Sequence, residues 1–129
     1  MRNRARAIPT LAAVLLLAAL PAAAADVTGK WTATFDTQVG QQKYTFDLKA
    51  DGEKLTGKAA FERMGQTGEA ELVEGKLTGD EVFFVENMDA MGTPLRIEYT
   101  GKVKGDEIAF TRKVGDFATE QFVATRVKN

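Results

Sequence analysis

The sequence predicts an all-β chain, an eight-stranded antiparallel up-and-down β-barrel built from four hairpin repeats. Three observations predict it. Apolar and polar residues alternate along short segments, which is the period of a half-buried strand. Tight glycine turns such as Asp51-Gly52, Gly79-Asp80 and Gly105-Asp106 separate those segments. A unit also recurs: Gly75-Lys76-Leu77-Thr78-Gly79-Asp80-Glu81-Val82-Phe83-Phe84 returns 26 residues later as Gly101-Lys102-Val103-Lys104-Gly105-Asp106-Glu107-Ile108-Ala109-Phe110. Asp51-Gly52-Glu53-Lys54-Leu55 resembles an earlier copy, and Thr28-Gly29-Lys30-Trp31 falls where the first copy would start. Each unit reads as a glycine turn, a strand out, a loop and a strand back. Four units make eight strands, and closing them into a barrel hides the sheet edges.

The strands are expected at 29–36, 41–50, 54–62, 68–77, 81–87, 94–103, 107–114 and 118–127. In the first, Trp31, Ala33 and Phe35 share one face, and in the second, Tyr44, Phe46 and Leu48 do. The third carries Leu55, Gly57, Ala59 and Phe61 inward. The fourth is less regular, with a bulge expected near Val73-Glu74. The fifth, Val82-Phe83-Phe84-Val85, is apolar on both faces, so Phe83 and Val85 are expected to face outward, as an exposed strip for a protein contact or as scattered surface apolarity. Leu95, Ile97 and Tyr99 line the sixth strand, Ile108 and Phe110 the seventh, Phe122 and Ala124 the eighth. The opposite faces are mostly Thr, Lys, Glu and Arg.

Residues 1–25 read as a cleavable signal peptide, and residues 26–129 as a single β-barrel domain. Arg2, Arg4 and Arg6 form a positive start, Leu11 to Leu20 an apolar stretch, and Ala23-Ala24-Ala25 a small-residue cleavage site before Asp26. The apolar stretch is short for a membrane span. These features imply a bacterial protein in the periplasm or the medium, with no membrane insertion after leader cleavage. Without the leader the chain keeps 14 basic and 18 acidic residues, a net charge of −4. That balance argues against nucleic acid as a partner.

The chain has no cysteine and no histidine. No disulfide holds the fold, so sheet closure and core packing must. Without histidine or serine, Ser-His-Asp and Cys-His catalysis are ruled out, and no metal site or cofactor is expected. A pair of carboxylates, Glu86 and Glu120, is the remaining catalytic constellation. Glycoside hydrolysis would need one of them with a raised pKa, whereas Arg112 beside them lowers it. The chain is therefore expected not to be an enzyme.

Alternate loops of an up-and-down barrel lie at one end. One end carries the three tight polar turns. The other carries Thr37–Gly40, Arg63–Thr67, Asn87–Thr93 and Gly115–Phe117, read as longer loops that hold Val39, Met64, Met88, Met91 and Phe117. Methionine adapts to irregular surfaces, so this end is assigned as an open mouth. The alternative is that these side chains fold inward as a lid. Extending the inward faces toward the mouth brings Gln42, Glu86, Arg112 and Glu120 together, a cluster suited to the polar end of an amphipathic ligand. Arg112 and Glu120 flank one hairpin and face each other across it. The alternative for this cluster is a solvated ion pair at the rim. The aromatics Tyr44, Phe61 and Tyr99, with Phe35, Phe84 and Phe110, are expected to line a pocket below. Gly57, Ala59 and Ala70 would leave room for it.

Gly29-x-Trp31 on the first strand, with Arg126 on the last, resembles the signature of the calycins, the lipocalin and avidin-like barrels. The resemblance by motif covers only these two ends. It implies a ligand-binding barrel closed at one end by an Arg126 guanidinium stacked on Trp31. The chain lacks the C-terminal helix and the cysteines of typical lipocalins, and avidin's biotin contacts find no match in it. A second resemblance is to small periplasmic inhibitors of proteases and of lysozyme. It implies a filled barrel that contacts a protein partner through its outer surface, with Asp26-Val27 as an inhibitory tail. The two readings separate on volume, since an eight-stranded barrel is only just wide enough to be filled by its own side chains.

Overall fold

The computed structural model describes residues 26–128, so the expected leader lies outside the described residues. Eight strands follow in order: β1 (Gly29–Thr37), β2 (Gly40–Asp51), β3 (Lys54–Arg63), β4 (Gln66–Thr78), β5 (Glu81–Ala90), β6 (Thr93–Lys104), β7 (Glu107–Val114) and β8 (Ala118–Arg126). Each pairs antiparallel with the next, and β1 pairs with β8 to close the barrel. No helix occurs among the described residues.

The two closing seams are unequal to the hairpins. β1 meets β8 at only two positions, Trp31↔Arg126 and Thr32↔Thr125. The β4–β5 ladder runs from Thr78↔Glu81 to Leu72↔Glu86 and stops there. Toward the mouth the barrel is thus two four-stranded sheets facing each other. Side chains bridge the β1–β8 seam, where the rings of Phe35 and Phe122 stack 4.1 Å apart and within 8° of parallel.

The bulge is in β4, where the register with β5 slips between Val73 and Lys76 and Glu74 takes a φ of 56°. The sharp bend brings β4 onto β3. A Cβ on Gly75 would sit 1.9 Å from the Leu55 carbonyl oxygen, so only glycine fits there.

Two sequence expectations fail on the barrel wall. The mouth loops are not long. β3 runs to Arg63 and β4 starts at Gln66, so Met64-Gly65 is a two-residue turn; Met91-Gly92 is another. Both methionines adopt φ 54°, with Gly65 at 77° and Gly92 at 87°, the left-handed pair that a tight hairpin requires. Nor do Phe83 and Val85 form an exposed strip. Phe83 is half-buried and Val85 is buried. Val85 faces outward between Val73 and Glu98. Arg96 on β6 reaches across β5 to Glu74 on β4, with Nη1 at 2.6 Å and Nη2 at 3.0 Å from its two oxygens, and this bridge covers the apolar wall.

The interior is packed rather than hollow. Phe46 lies within 5.4–5.6 Å of Tyr44, Phe84, Tyr99 and Phe110, centroid to centroid. The aromatics expected to line a lower pocket therefore fill the lower barrel, each such ring contributing about 0.5–1.5 kcal/mol per aromatic pair beyond its area burial. The small residues do not open a cavity. A Cβ on Gly57 would lie 2.1 Å from the Asp47 carbonyl oxygen, so backbone occupies that space. Gly68 makes room for the Phe61 ring and Gly101 for Phe110, each 2.7 Å from where a Cβ would be. Ala59 is buried in the core opposite Ala70.

At the closed end the Arg126 guanidinium lies 4.3 Å over the Trp31 ring. Its Nη1 and Nη2 donate to the Thr28 and Asp26 carbonyls at 3.2 and 2.7 Å, and its Nε to Asp106 at 3.1 Å. Trp31 Nε1 donates to the Val27 carbonyl at 3.0 Å, and Val27 is buried in the core. Asp26-Val27 is therefore part of the plug and not a free inhibitory tail.

Candidate functional site

The mouth end is built on the last inward positions of the strands. β2 supplies Gln42 and Tyr44, β3 Arg63, β5 Glu86, β6 Tyr99, β7 Arg112 and β8 Glu120. Glu86 is 0% exposed, Arg112 2% and Gln42 5%; these are the buried polar side chains among the described residues.

Glu86 is the hub. Tyr44 Oη donates to its Oε1 at 3.0 Å and approaches Oε2 at 3.2 Å. Tyr99 Oη donates to Oε1 at 2.8 Å. Each phenol in turn accepts from a guanidinium. Arg112 Nε donates to Tyr99 at 2.9 Å and Arg112 Nη2 to Tyr44 at 3.2 Å. Arg63 Nη1 donates to Tyr44 at 2.8 Å and lies 3.7 Å from Glu86 Oε2. Arg112 Nη1 donates to Glu120 Oε1 at 2.6 Å, across the hairpin where the two residues are register partners. The proton direction is fixed throughout: guanidinium to phenol, phenol to carboxylate. Two guanidinium groups balance two carboxylates. A buried charged network is tolerable only when its members satisfy one another in this way.

The rings hold the cations as well. Arg63 stacks on Phe61 at 3.7 Å, and Arg112 sits 5.4 Å from the Phe35 and Tyr44 centroids. Burial pushes the hydroxyls of Tyr44 and Tyr99 above the ordinary phenol value of 10.0, and the Glu86 carboxylate adds to the shift. Burial opposes the charge on Arg112, but the surrounding phenols and Glu120 outweigh it and hold the guanidinium above its usual range.

Above this network is a cleft of about 290 Å³. Gln42, Arg112 and Glu120 form its polar floor; Met88, Leu95, Val114 and Phe117 supply apolar wall. Its volume sits at the lower edge of small-molecule sites, about 300 Å³ and up. A second opening, about 210 Å³, lies where the β4–β5 ladder ends, between Arg63, Glu69, Ala70 and Met88, and reaches Glu86 from the side. Larger hollows of about 370 and 410 Å³ lie on the outer wall, by Lys43 and Glu69 and by Ala109 and Val123. Neither includes Gln42, Glu86 or Arg112, so they lack the buried polar chemistry of the mouth.

The structure brings Gln42, Tyr44, Glu86, Tyr99, Arg112 and Glu120 into one region and sets Phe61 beside it under Arg63. Of the mouth residues, Met64, Met91 and Phe117 are exposed on the turns, while Met88 is half-buried against the core. Two participants are absent from the sequence expectation. Arg63 lies opposite Gln42 in the β2–β3 register, one residue beyond the expected end of its strand. Thr37, likewise one residue beyond its expected strand, contacts Gln42. Continuing the inward alternation from Phe61 and from Phe35 by two residues points to both.

Gln42 Oε1 has no hydrogen-bond partner among the described residues. A buried acceptor left so costs about 1–3 kcal/mol. It is the one such side-chain atom among the described residues, and it lies at the cleft floor.

No protein-family model matches this chain. No curated protein sequence matches it either. Among solved structures, the chain is similar to one named REP1-NXSQ fatty acid transporter, at 17% sequence identity and a TM-score of 0.50, covering 82% of this chain and 99% of that one. At that identity the likeness is one of fold alone.

Proposed function

We propose that this is an exported barrel that binds a small apolar or amphipathic molecule in its open mouth, in the cleft over Gln42, Arg112 and Glu120. The observation that carries the reading is the combination of an apolar-walled cleft with a polar floor in which Arg112 and Glu120 are networked and Gln42 Oε1 is left without a partner among the described residues. Structural ion pairs do not need an apolar vestibule, and a lid would not leave Val39, Met64, Met91 and Phe117 exposed around it. The fold likeness to a protein named as a fatty acid transporter supports an apolar cargo. The Trp31–Arg126 plug supports the calycin resemblance, and with it a barrel closed at one end and open at the other. The composition of residues 1–25 supports export to the bacterial periplasm or the medium. Binding is the reading these contacts favour over carboxylate catalysis: Glu86 accepts from two phenols and Glu120 from Arg112, so both carboxylates are engaged in hydrogen bonds.

Native mass spectrometry of the protein purified from the host's exported fraction tests this. The expected result is a co-purifying small molecule that is lost when Ala118, which lines the cleft, is replaced by Trp. Retention of the same molecule by Ala118→Trp would place it elsewhere and contradict the reading.

A protein partner is the second reading. The filled lower barrel and the exposed tips Met64, Met91 and Phe117 favour it, and they move its contact surface from the outer strands to the mouth rim. A clean mass for the isolated protein, with a stoichiometric protein complex in the exported fraction, would support it.

A further inference from the structure

We propose that the mouth cleft selects an uncharged ligand whose polar end donates a hydrogen bond, an alcohol or a primary amide, over a carboxylate. The inference rests on the mouth-binding reading above and specifies the chemistry of its ligand.

The orientation of the Gln42 amide is set by Thr37. Thr37 Oγ1 donates its single hydrogen to the Gly40 carbonyl at 2.8 Å and accepts from the Val39 N–H at 3.1 Å. It can therefore only accept again, so the nitrogen of Gln42 must be the atom that faces it at 3.4 Å. Gln42 Oε1 then points away as a buried acceptor at the cleft floor, with no donor among the described residues. A hydroxyl or amide N–H entering the cleft satisfies it. A carboxylate brings only lone pairs to it.

Charge points the same way. Arg112 is the cation at the cleft floor, and its Nε, Nη1 and Nη2 already donate to Tyr99, Glu120 and Tyr44. Arg63 is engaged by Tyr44 and Glu86. The two guanidinium groups are matched by Glu86 and Glu120. A ligand carboxylate would add a third anion next to Glu120, where like charges repel. A neutral head leaves the balance intact.

The packing below fixes the pose. Phe35 and Phe122 stack beneath Arg112, and Phe46 fills the centre. The apolar part cannot pass down the barrel. It lies outward along Met88, Leu95, Val114 and Phe117, with the polar end inward.

Isothermal titration of the protein with octan-1-ol, octyl methyl ether and sodium octanoate at neutral pH tests the inference. The three share one chain and differ at the head: donor, acceptor only, anion. Octan-1-ol is expected to bind about tenfold more tightly than either of the others, the discrimination of one buried hydrogen bond. Gln42→Met, which keeps the side-chain length and removes the acceptor, is expected to equalise the alcohol and the ether. Octanoate binding as tightly as the alcohol would overturn the neutral-head inference and leave mouth binding standing. Saturable binding of none of the three would overturn both. Equal affinity of alcohol and ether for the unaltered protein would overturn the role of Gln42.

Discussion

Glu86 shows how a barrel keeps a buried carboxylate: two phenols donate to it and a guanidinium stands within 3.7 Å. Replacing it by Leu strands Arg63 and the phenols. The expected loss is about 3–5 kcal/mol in urea unfolding, the cost of breaking a buried pair from one side. The chain's two tyrosines are both in this cluster, so phenolate absorbance reports on the site alone. Their pKa values are raised above the ordinary 10.0. In the unfolded chain they lose protons near that value, while the folded barrel keeps them. Above it the unfolded state binds fewer protons than the native state, so stability is full below about pH 10 and falls as pH rises toward the folded values. Phenolate absorbance is expected to appear together with loss of sheet circular dichroism, not before it. Gln42 runs the other way: Gln42→Met removes the unpartnered acceptor and is expected to stabilise the protein by about 1 kcal/mol. At this scale the sequence yields the alternating residues and the Arg112–Glu120 pair across one hairpin, but not the bonds to Glu86. Tyr44 and Tyr99 read as lining because aromatic alternation cannot tell a wall ring from a hub donor.

The hairpin is the unit at the next scale. Alternation and glycine turns locate all eight strands, and the irregular β4 pattern locates its bulge, because period-two burial and left-handed turns leave marks in composition. Strand ends are less legible. Met64 and Met91 are poor residues for a left-handed turn, so the sequence suggests longer loops there and omits Arg63 from the site. Met64→Asn and Met91→Asn are each expected to stabilise the fold by about 0.5–1 kcal/mol, since asparagine tolerates that conformation. Gly75→Ala is expected to have the opposite sign, because the Leu55 carbonyl oxygen occupies the site of its Cβ. A loss of about 2 kcal/mol or more by urea unfolding is expected.

At the largest scale, the described residues form one closed barrel whose two four-stranded halves are clasped at one end. Trp31 and Arg126, at opposite ends of the sequence, supply that clasp, and their pairing is readable from sequence once an up-and-down order is assumed. Arg126→Gln is expected to cost about 1–3 kcal/mol through the lost stacking and carbonyl bonds, and to shift the emission of Trp31, the chain's one tryptophan. What sequence did not disclose is where the volume goes. Inward aromatics can line a cavity or fill it, and the choice depends on ring tilt and on which glycine faces which ring. Here Gly68 and Gly101 admit Phe61 and Phe110, the lower barrel is solid, and the space that remains lies above Arg112. The side opening at the β4–β5 seam follows from the bulge and leaves no composition signal of its own.

An NMR titration of the isotope-labelled protein with octan-1-ol tests the central claim most directly, since it reports where a ligand sits as well as whether it binds. The account predicts saturable shifts of the Gln42 side-chain amide and the Leu95 and Val114 methyl groups, with the Trp31 indole N–H unmoved at the plugged end. Absence of saturable shifts at the mouth, or shifts centred on Trp31 or on the outer wall by Ala109 and Val123, would contradict it.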